Sequence, residues 1–104
     1  MDYRPRKGII LLKICDANLL VPLREASDAC KEIASISVFE TLVWKRLEKG
    51  EDMDTVITAF SKLASRPPED IRARIDSFLD NLYGKGFIVK TDEAFSMNED
   101  PRVI

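Results

Sequence analysis

The side chains that most often carry catalysis are sparse in this sequence. The chain has no histidine, which removes Ser-His-Asp and Cys-His catalysis, most zinc sites and the usual proton shuttle. Its two cysteines, Cys15 and Cys30, lack a CxxC spacing, so we interpret them as buried or idle thiols. The carboxylates form no isolated pair in an apolar segment, which leaves general acid–base chemistry without a visible site. From these residues we expect no catalytic residue, no metal site and no cofactor.

Two groups of residues could instead bind a ligand. The Gly84-Lys85-Gly86 segment could cradle a phosphate, but it follows a helical pattern rather than preceding one, so we predict a helix C-cap there. Arg66, Arg72 and Arg74 lie on or near one predicted helix and could either meet acidic side chains of a partner or form a solvated face. Sixteen basic and eighteen acidic residues give a net charge of −2, which argues against dominant phosphate binding.

The length and composition fit one small globular domain. The chain has 104 residues, of which 45% are hydrophobic and 33% charged, and chains of this length hold a single core. The longest purely aliphatic run, residues 9–12, is interrupted by Lys13. That run is too short for a signal peptide or a membrane span, so we expect a cytoplasmic protein.

The first third of the chain predicts three short strands. Gly8–Cys15 is a run of strand length rich in β-branched residues, and Leu19–Leu23 and Ile33–Ile36 follow it. Asp16-Ala17-Asn18 predicts the turn between the first two strands. Pro22 predicts a bulge or a strand end, because proline cannot donate to a strand ladder. The short connections favour an antiparallel meander.

The rest of the chain predicts three helices from its periodicity, caps and breakers. Ser37 and Glu40 have the spacing of a capping box, and Asp52 is a good N-cap for the second helix. Two prolines break the second pattern, and the latter of them suits the first turn of the third helix. The predicted boundaries are Ser37 to Gly50, Asp52 to Arg66, and Pro68 to Gly84-Lys85-Gly86.

Apolar residues at helical spacing predict the core. They are Phe39, Leu42, Val43 and Leu47 with Val38 and Trp44 beside them, then Met53, Val56, Ile57, Phe60, Leu63 and Ala64, and then Ile71, Ile75, Phe78, Leu79 and Leu82. We interpret Trp44 as a core anchor rather than a binding hot spot. Phe87-Ile88-Val89 is predicted to return to the core, and residues 90–104 to form a mobile polar tail. Residues 1–89 thus predict an α+β, winged-helix-like domain with a three-stranded antiparallel sheet followed by three helices.

Five segments, in this order, resemble the coenzyme PQQ synthesis protein D (PqqD) family of RiPP precursor peptide recognition elements. They are Lys7-Gly8 before an apolar strand, Val21-Pro22 followed by Glu25-Ala26, Ile33–Ile36, Thr41–Leu47 with its Trp44, and Phe78–Ile88 with its closing glycine and apolar pair. The resemblance covers about residues 7–89. The family commonly has glycine where Arg24 and Glu32 stand and asparagine where Ser37 stands, although serine caps a helix nearly as well.

The resemblance implies a non-enzymatic peptide chaperone. Members of the family bind the leader of a ribosomally synthesised precursor peptide as an extra strand on the third strand, against the third helix. They present that leader to a modifying enzyme, often a radical SAM protein. By resemblance, the docking edge is Glu32, Ile33, Ala34 and Ser35, and the helical wall is Arg72, Ile75, Asp76, Leu79 and Tyr83.

Binding a peptide as an added strand requires more than backbone hydrogen bonds. Ordering the peptide nearly cancels the gain from its ladder hydrogen bonds and its apolar burial, so apolar pockets between the third strand and the third helix must decide selectivity. Two other functions are also consistent with the sequence. The helical unit with its three arginines could be a winged-helix DNA-binding domain, or the chain could be a structural subunit that only contacts an enzyme. The oligomeric state is also open.

Overall fold

A computed structural model describes residues 3–90 of the chain. In chain order it has strands β1 (Tyr3–Pro5), β2 (Ile9–Ile14) and β3 (Ala17–Pro22), a 3-10 turn (Arg24–Ala26), strand β4 (Ala34–Ile36), helices α1 (Val38–Glu48), α2 (Met53–Ala64) and α3 (Pro68–Lys85), and strand β5 (Ile88–Lys90). Strands β2, β3 and β4 form one antiparallel sheet in that order, and β1 pairs with β5 in a separate ribbon. The fold is α+β, and the predicted three-stranded sheet followed by three helices is confirmed.

The hairpin between β2 and β3 turns earlier than predicted. Its turn is Cys15-Asp16, and Ala17 already pairs with Ile14 in the ladder. Cys15 has a φ of +55°, because a two-residue hairpin loop requires a left-handed residue to follow the twist of its strands. Pro22 is the last residue of β3, which confirms the predicted strand end.

The predicted helix caps are present. The Ser37 hydroxyl accepts from the Glu40 backbone N–H at 3.1 Å, and the Glu40 carboxylate accepts from the Ser37 N–H at 2.8 Å, which completes the capping box. The Asp52 carboxylate accepts from the Thr55 N–H, and Gly86 caps α3 with a φ of +90°. None of the helices within residues 3–90 combines the length and the apolar character that a membrane crossing requires.

The core lies between the inner face of the sheet and the three helices. Its largest fully buried side chains are Trp44, Phe87, Leu20, Ile71, Ile75, Ile88, Val43 and Val56. The core role predicted for Trp44 is confirmed, since the side chain has no exposed surface. Phe87 and Ile88 return to the core as predicted.

Four residues assigned to the core stripes are exposed instead: Val38, Leu42, Leu63 and Ala64. Leu63 is 77% exposed, because residues 62–70 are all exposed and the end of α2 extends beyond the core. Val38 and Leu42 are 70% and 46% exposed, one turn apart on the solvent side of α1. Thr41 is buried in α1, with its hydroxyl donating to the Ser37 carbonyl at 2.8 Å.

The β1–β5 ribbon was not predicted. Tyr3, Arg4 and Pro5 pair with Lys90, Val89 and Ile88, and next to the ribbon the Arg6 guanidinium donates to the Gly86 carbonyl at 2.7 Å. Lys90 therefore belongs to a strand rather than to the predicted tail. The remainder of that predicted tail, residues 91–104, lies outside the described residues.

Candidate functional site

One edge of the three-stranded sheet is formed by β4. This strand pairs with β3 through Ala34, Ser35 and Ile36, and within residues 3–90 its other side has no strand partner. Ile36 is buried, whereas Ser35 is exposed and Ile33, just before the strand, is 62% exposed. Backbone N–H and C=O groups on such an edge are available to pair with an added strand.

A groove runs between this edge and α3. It has a volume of about 200 Å³ and is lined by Ile33, Ala34, Ser35, Ile36, Glu40, Phe78, Asn81, Leu82 and Lys85. Ile36, Phe78 and Leu82 lie beneath it as buried core residues, so they expose little surface to the groove, and its accessible lining is mostly polar. Its rim is polar and carries Asn81 and Lys85. The groove thus offers mainly hydrogen-bonding groups, rather than the apolar pocket expected between the third strand and the third helix.

The groove continues along α3 toward the N-terminus of the helix. A second cavity of about 360 Å³ shares Glu40, Phe78 and Asn81 with the first and adds Ala73, Arg74 and Ser77. The Arg74 guanidinium lies 4.6 Å from the centroid of the Phe39 ring, where cation–π attraction holds it. From Arg74 to Lys85 the helix rises about 17 Å, which equals about five residues of an extended strand.

The predicted docking edge and the predicted helical wall lie in different places. Three residues of the docking edge, Ile33, Ala34 and Ser35, line the groove. The fourth, Glu32, stands at one end of it, where its carboxylate is 3.6 Å from the Lys85 ammonium. This ion pair joins the segment before β4 to the last turn of α3.

The five wall residues are not brought to this edge. Arg72, Asp76 and Leu79 line a separate cavity of about 230 Å³ together with Tyr3, Asp52, Met53, Asp54 and Ile57. Ile75 is fully buried, and the Tyr83 ring packs against the Tyr3 ring with centroids 5.7 Å apart and planes tilted by 54°. Because each residue turns a helix by about 100°, the side of α3 that faces β4 carries Phe78, Asn81, Leu82 and Lys85 instead. The periodicity of α3 identified its buried stripe but not which flank of that stripe faces β4.

Two of the three candidate arginines are engaged within the chain. The Arg72 guanidinium contacts the Asp54 carboxylate at 2.7 Å. The hydrogen bond to Asp54 and the accompanying charge attraction raise the pKa of Arg72 above its ordinary value. Arg74 lies over Phe39, and Arg66 is exposed in the connection between α2 and α3.

The segment that leads into β4 is anchored against the end of α3. A Cβ atom at Gly86 would lie 2.3 Å from the Ala29 carbonyl oxygen, so only glycine allows this approach. Cys30 is fully buried, and its thiol donates to the Glu32 carbonyl at 3.7 Å. The exposed Cys15 lies at the far hairpin turn. The position of the β4 edge is therefore set by a backbone contact with the C-cap of α3.

Comparison of this chain with known proteins gave no significant match to any family model, curated protein or solved structure. The candidate site is accordingly defined by this chain's own residues. It consists of the β4 edge and the side of α3 that carries Phe78, Asn81, Leu82 and Lys85.

Proposed function

We propose that this chain is a peptide-binding adaptor that accepts an extended segment as an additional strand beside β4. The observation that carries the proposal is a strand edge without a partner among the described residues, next to a groove between that edge and α3. Main-chain pairing supplies affinity in this mode of recognition, and pockets for alternate side chains supply selectivity. The resemblance to the PqqD family supports a leader peptide as the ligand and a peptide-modifying enzyme, such as a radical SAM protein, as the recipient.

The part of the groove beside β4 is small. It holds about 200 Å³, less than the roughly 300–1,000 Å³ typical of pockets for drug-sized ligands, whereas the adjoining cavity of about 360 Å³ lies within that range. The smaller volume suits one or two side chains of a strand whose backbone remains outside the groove. Alternate residues of an added strand point to the same side, so the peptide would place every second side chain toward Phe78 and Leu82.

The polar rim determines what the remaining peptide side chains should be. Asn81 is exposed on α3 and can both donate and accept hydrogen bonds. Lys85 and Glu32 stand at one end of the groove and Glu40 lines it. A segment with polar and acidic side chains fits this lining, with the acid meeting Lys85. Selectivity then comes from hydrogen bonds and charge along the groove.

The alternative of winged-helix DNA binding has less support. Arg72 contacts Asp54, and Arg74 lies over Phe39, so two of its three candidate cations already have partners in the chain. Exposed acidic residues also lie on α3, including Asp76 and Asp80. Phosphate binding requires a basic surface, and a salt-dependent shift of a DNA duplex in a gel would be needed to revive this alternative.

Titration with a leader peptide tests the proposal. We would add the synthetic leader of the precursor peptide encoded beside this chain's gene to the ¹⁵N-labelled protein and follow its amide resonances. We expect the largest shifts in residues 32–36 and in residues 77–85 of α3. Absence of any shift with the leader at millimolar concentration would contradict the proposal.

A pair of tryptophan variants tests whether the ligand uses the groove. Asn81→Trp places a large ring where Asn81 lines both cavities, so we expect at least a tenfold loss of leader affinity. Asp80→Trp adds the same ring at the neighbouring exposed position, outside the lining of either cavity. Equal affinities of the two variants would show that the leader binds elsewhere.

A further inference from the structure

The groove beside β4 and its adjoining cavity carry one cation each. Lys85 stands at the end near Glu32, and Arg74 lines the adjoining cavity. Lys85 follows Arg74 by eleven residues on α3. Because each residue turns the helix by about 100°, eleven residues make about three full turns. Both cations therefore lie on one side of α3, about 17 Å apart along the helix axis.

The Arg74 guanidinium is held in place without a carboxylate. It lies 4.6 Å from the centroid of the Phe39 ring, and that ring packs against the Phe60 ring with centroids 5.7 Å apart. Among the carboxylates of residues 3–90, none forms an ion pair with Arg74, and the side chain is exposed. Cation–π attraction thus fixes where the guanidinium lies, while its N–H groups can still bind a carboxylate from outside.

The carboxylates of Glu40 and Glu32, which lie at the groove, already have partners in the chain. The Glu40 carboxylate accepts from the Ser37 backbone N–H at 2.8 Å, which ties it to the cap of α1. The Glu32 carboxylate lies 3.6 Å from the Lys85 ammonium, and both side chains are about half exposed. Such an exposed pair contributes little free energy, so a carboxylate of a bound peptide can replace Glu32 at Lys85 at little cost.

We propose that the peptide bound in the groove carries two acidic residues, of which one contacts Lys85 and the other contacts Arg74. The contact with Arg74 rests on the proposed function, because it specifies the ligand of the same groove. Arg74 is then a residue that determines specificity. Its guanidinium is already ordered against Phe39, so less conformational entropy is lost when a carboxylate binds.

The distance between the two cations restricts the spacing of the two acids. Successive side chains of an extended strand point to opposite sides and advance about 3.3 Å. Two acids that both face α3 must therefore be an even number of residues apart. Spacings of four and six residues span about 13 and 20 Å, and the long side chains of arginine and lysine absorb the difference from 17 Å. A spacing of five residues turns one of the acids away from α3.

The charges along the groove favour a peptide over a nucleic acid. Carboxylates accompany both cations, since Glu32 pairs with Lys85 and Glu40 lines the same cavity as Arg74. A nucleic-acid strand carries a phosphate about every 3.4 Å, so it would bring phosphates against these carboxylates as well. A peptide can place neutral residues between its two acids, and its charges then meet only the cations.

Synthetic peptides that are permutations of the same residues test the spacing. We would use capped, threonine-rich peptides of about twelve residues with two glutamates that are four, five or six residues apart, and titrate each into the ¹⁵N-labelled full chain at low salt. The better of the two even spacings should bind about two- to fivefold more tightly than the spacing of five, a difference typical of one exposed ion pair. The comparison does not depend on the direction in which the peptide binds.

Variants of the two cations show whether the advantage of even spacing comes from them. Arg74→Gln and Lys85→Gln should each abolish it, so that the three peptides bind equally. Arg66→Gln is the matched control, because it removes the same charge from an exposed arginine in the connection between α2 and α3 and should keep the advantage. The ¹⁵N spectrum of each variant without peptide shows whether the variant is folded.

Several outcomes would overturn the two-acid ligand. Equal affinities of the three peptides for the unchanged protein would refute the spacing, and an advantage that survives Arg74→Gln would refute the role of Arg74. Absence of any shift with all three peptides at millimolar concentration would show that two acids are not sufficient for binding. A DNA duplex that shifts residues 74–85 more strongly than the peptides would identify a phosphate ligand instead. In each case the titration with the leader peptide decides the proposed function separately, because it uses a different ligand.

Discussion

Replacing Gly86 by alanine should destabilise the fold more than any other glycine-to-alanine change in the described chain. Gly86 combines a φ of +90° with a Cβ position only 2.3 Å from the Ala29 carbonyl oxygen. The backbone cannot rotate away, because the Arg6 guanidinium holds the Gly86 carbonyl. The substitution must therefore push the segment before β4 away from the end of α3.

The expected magnitude follows from two separate costs. A left-handed conformation costs an L-residue about 1–2 kcal/mol, and forcing an extra carbon against close-packed backbone costs about 1–3 kcal/mol more. The sum of roughly 2–5 kcal/mol in the free energy of unfolding corresponds to a fall in Tm of at least about 10 °C for a domain of this size. The same displacement should shift the amide resonances of β4.

Alanine substitutions at two other glycines separate the conformational cost from the packing cost. Gly50 has a φ of +76° with open space around its Cβ position, so Gly50→Ala should lose only the conformational cost of about 1–2 kcal/mol. Gly84 lies inside α3 with no atom near its Cβ position, so Gly84→Ala should gain about 0.5–1 kcal/mol. Urea unfolding of the three variants measures all three values. If Gly86→Ala were no less stable than Gly50→Ala, the close contact with Ala29 would be refuted.

Three further predictions concern the core, the thiols and the groove rim. Trp44→Ala should cost about 3–5 kcal/mol in urea unfolding. Trp44→Phe should cost clearly less, because phenylalanine keeps an aromatic ring in the buried site and loses only an indole N–H that has no hydrogen-bond partner among the described residues; equal losses would contradict this. A thiol reagent should modify Cys15 in the native protein and reach the buried Cys30 only in denaturant. Rapid modification of both thiols in the native protein would contradict the burial of Cys30. Lys85→Met should change the free energy of unfolding by less than about 1 kcal/mol, since both charges of the Lys85–Glu32 pair are about half exposed. A larger loss would show that this ion pair holds β4 in place.

Local signals in the sequence accounted for the helices and the main strands. The capping box at Ser37 and the proline that opens α3 are local features, and the structure has both. Leu63 fits the helical period of α2 equally well, yet it lies where the helix has passed beyond the core. Periodicity reports which side of a helix is apolar, but it does not report how far the neighbouring elements extend.

Features that depend on distant segments could not be predicted in the same way. The β1–β5 ribbon joins Tyr3–Pro5 to Ile88–Lys90, and three-residue strands are too short to show any alternation. The sequence predicted the short strand β4 and therefore the docking edge. It did not predict which face of α3 lies beside that edge. That face depends on how the buried side chains of α3 pack against distant segments.

The β1–β5 ribbon also governs how this domain can be connected to other proteins. Tyr3 and Lys90 are paired neighbours, so their Cα atoms lie only about 5 Å apart. A fusion partner attached at either end of the domain would leave from the same point, and a few glycines could join the two ends covalently. A circular permutant opened at Cys15-Asp16, a turn whose two residues are both exposed, should therefore keep every strand pairing described above.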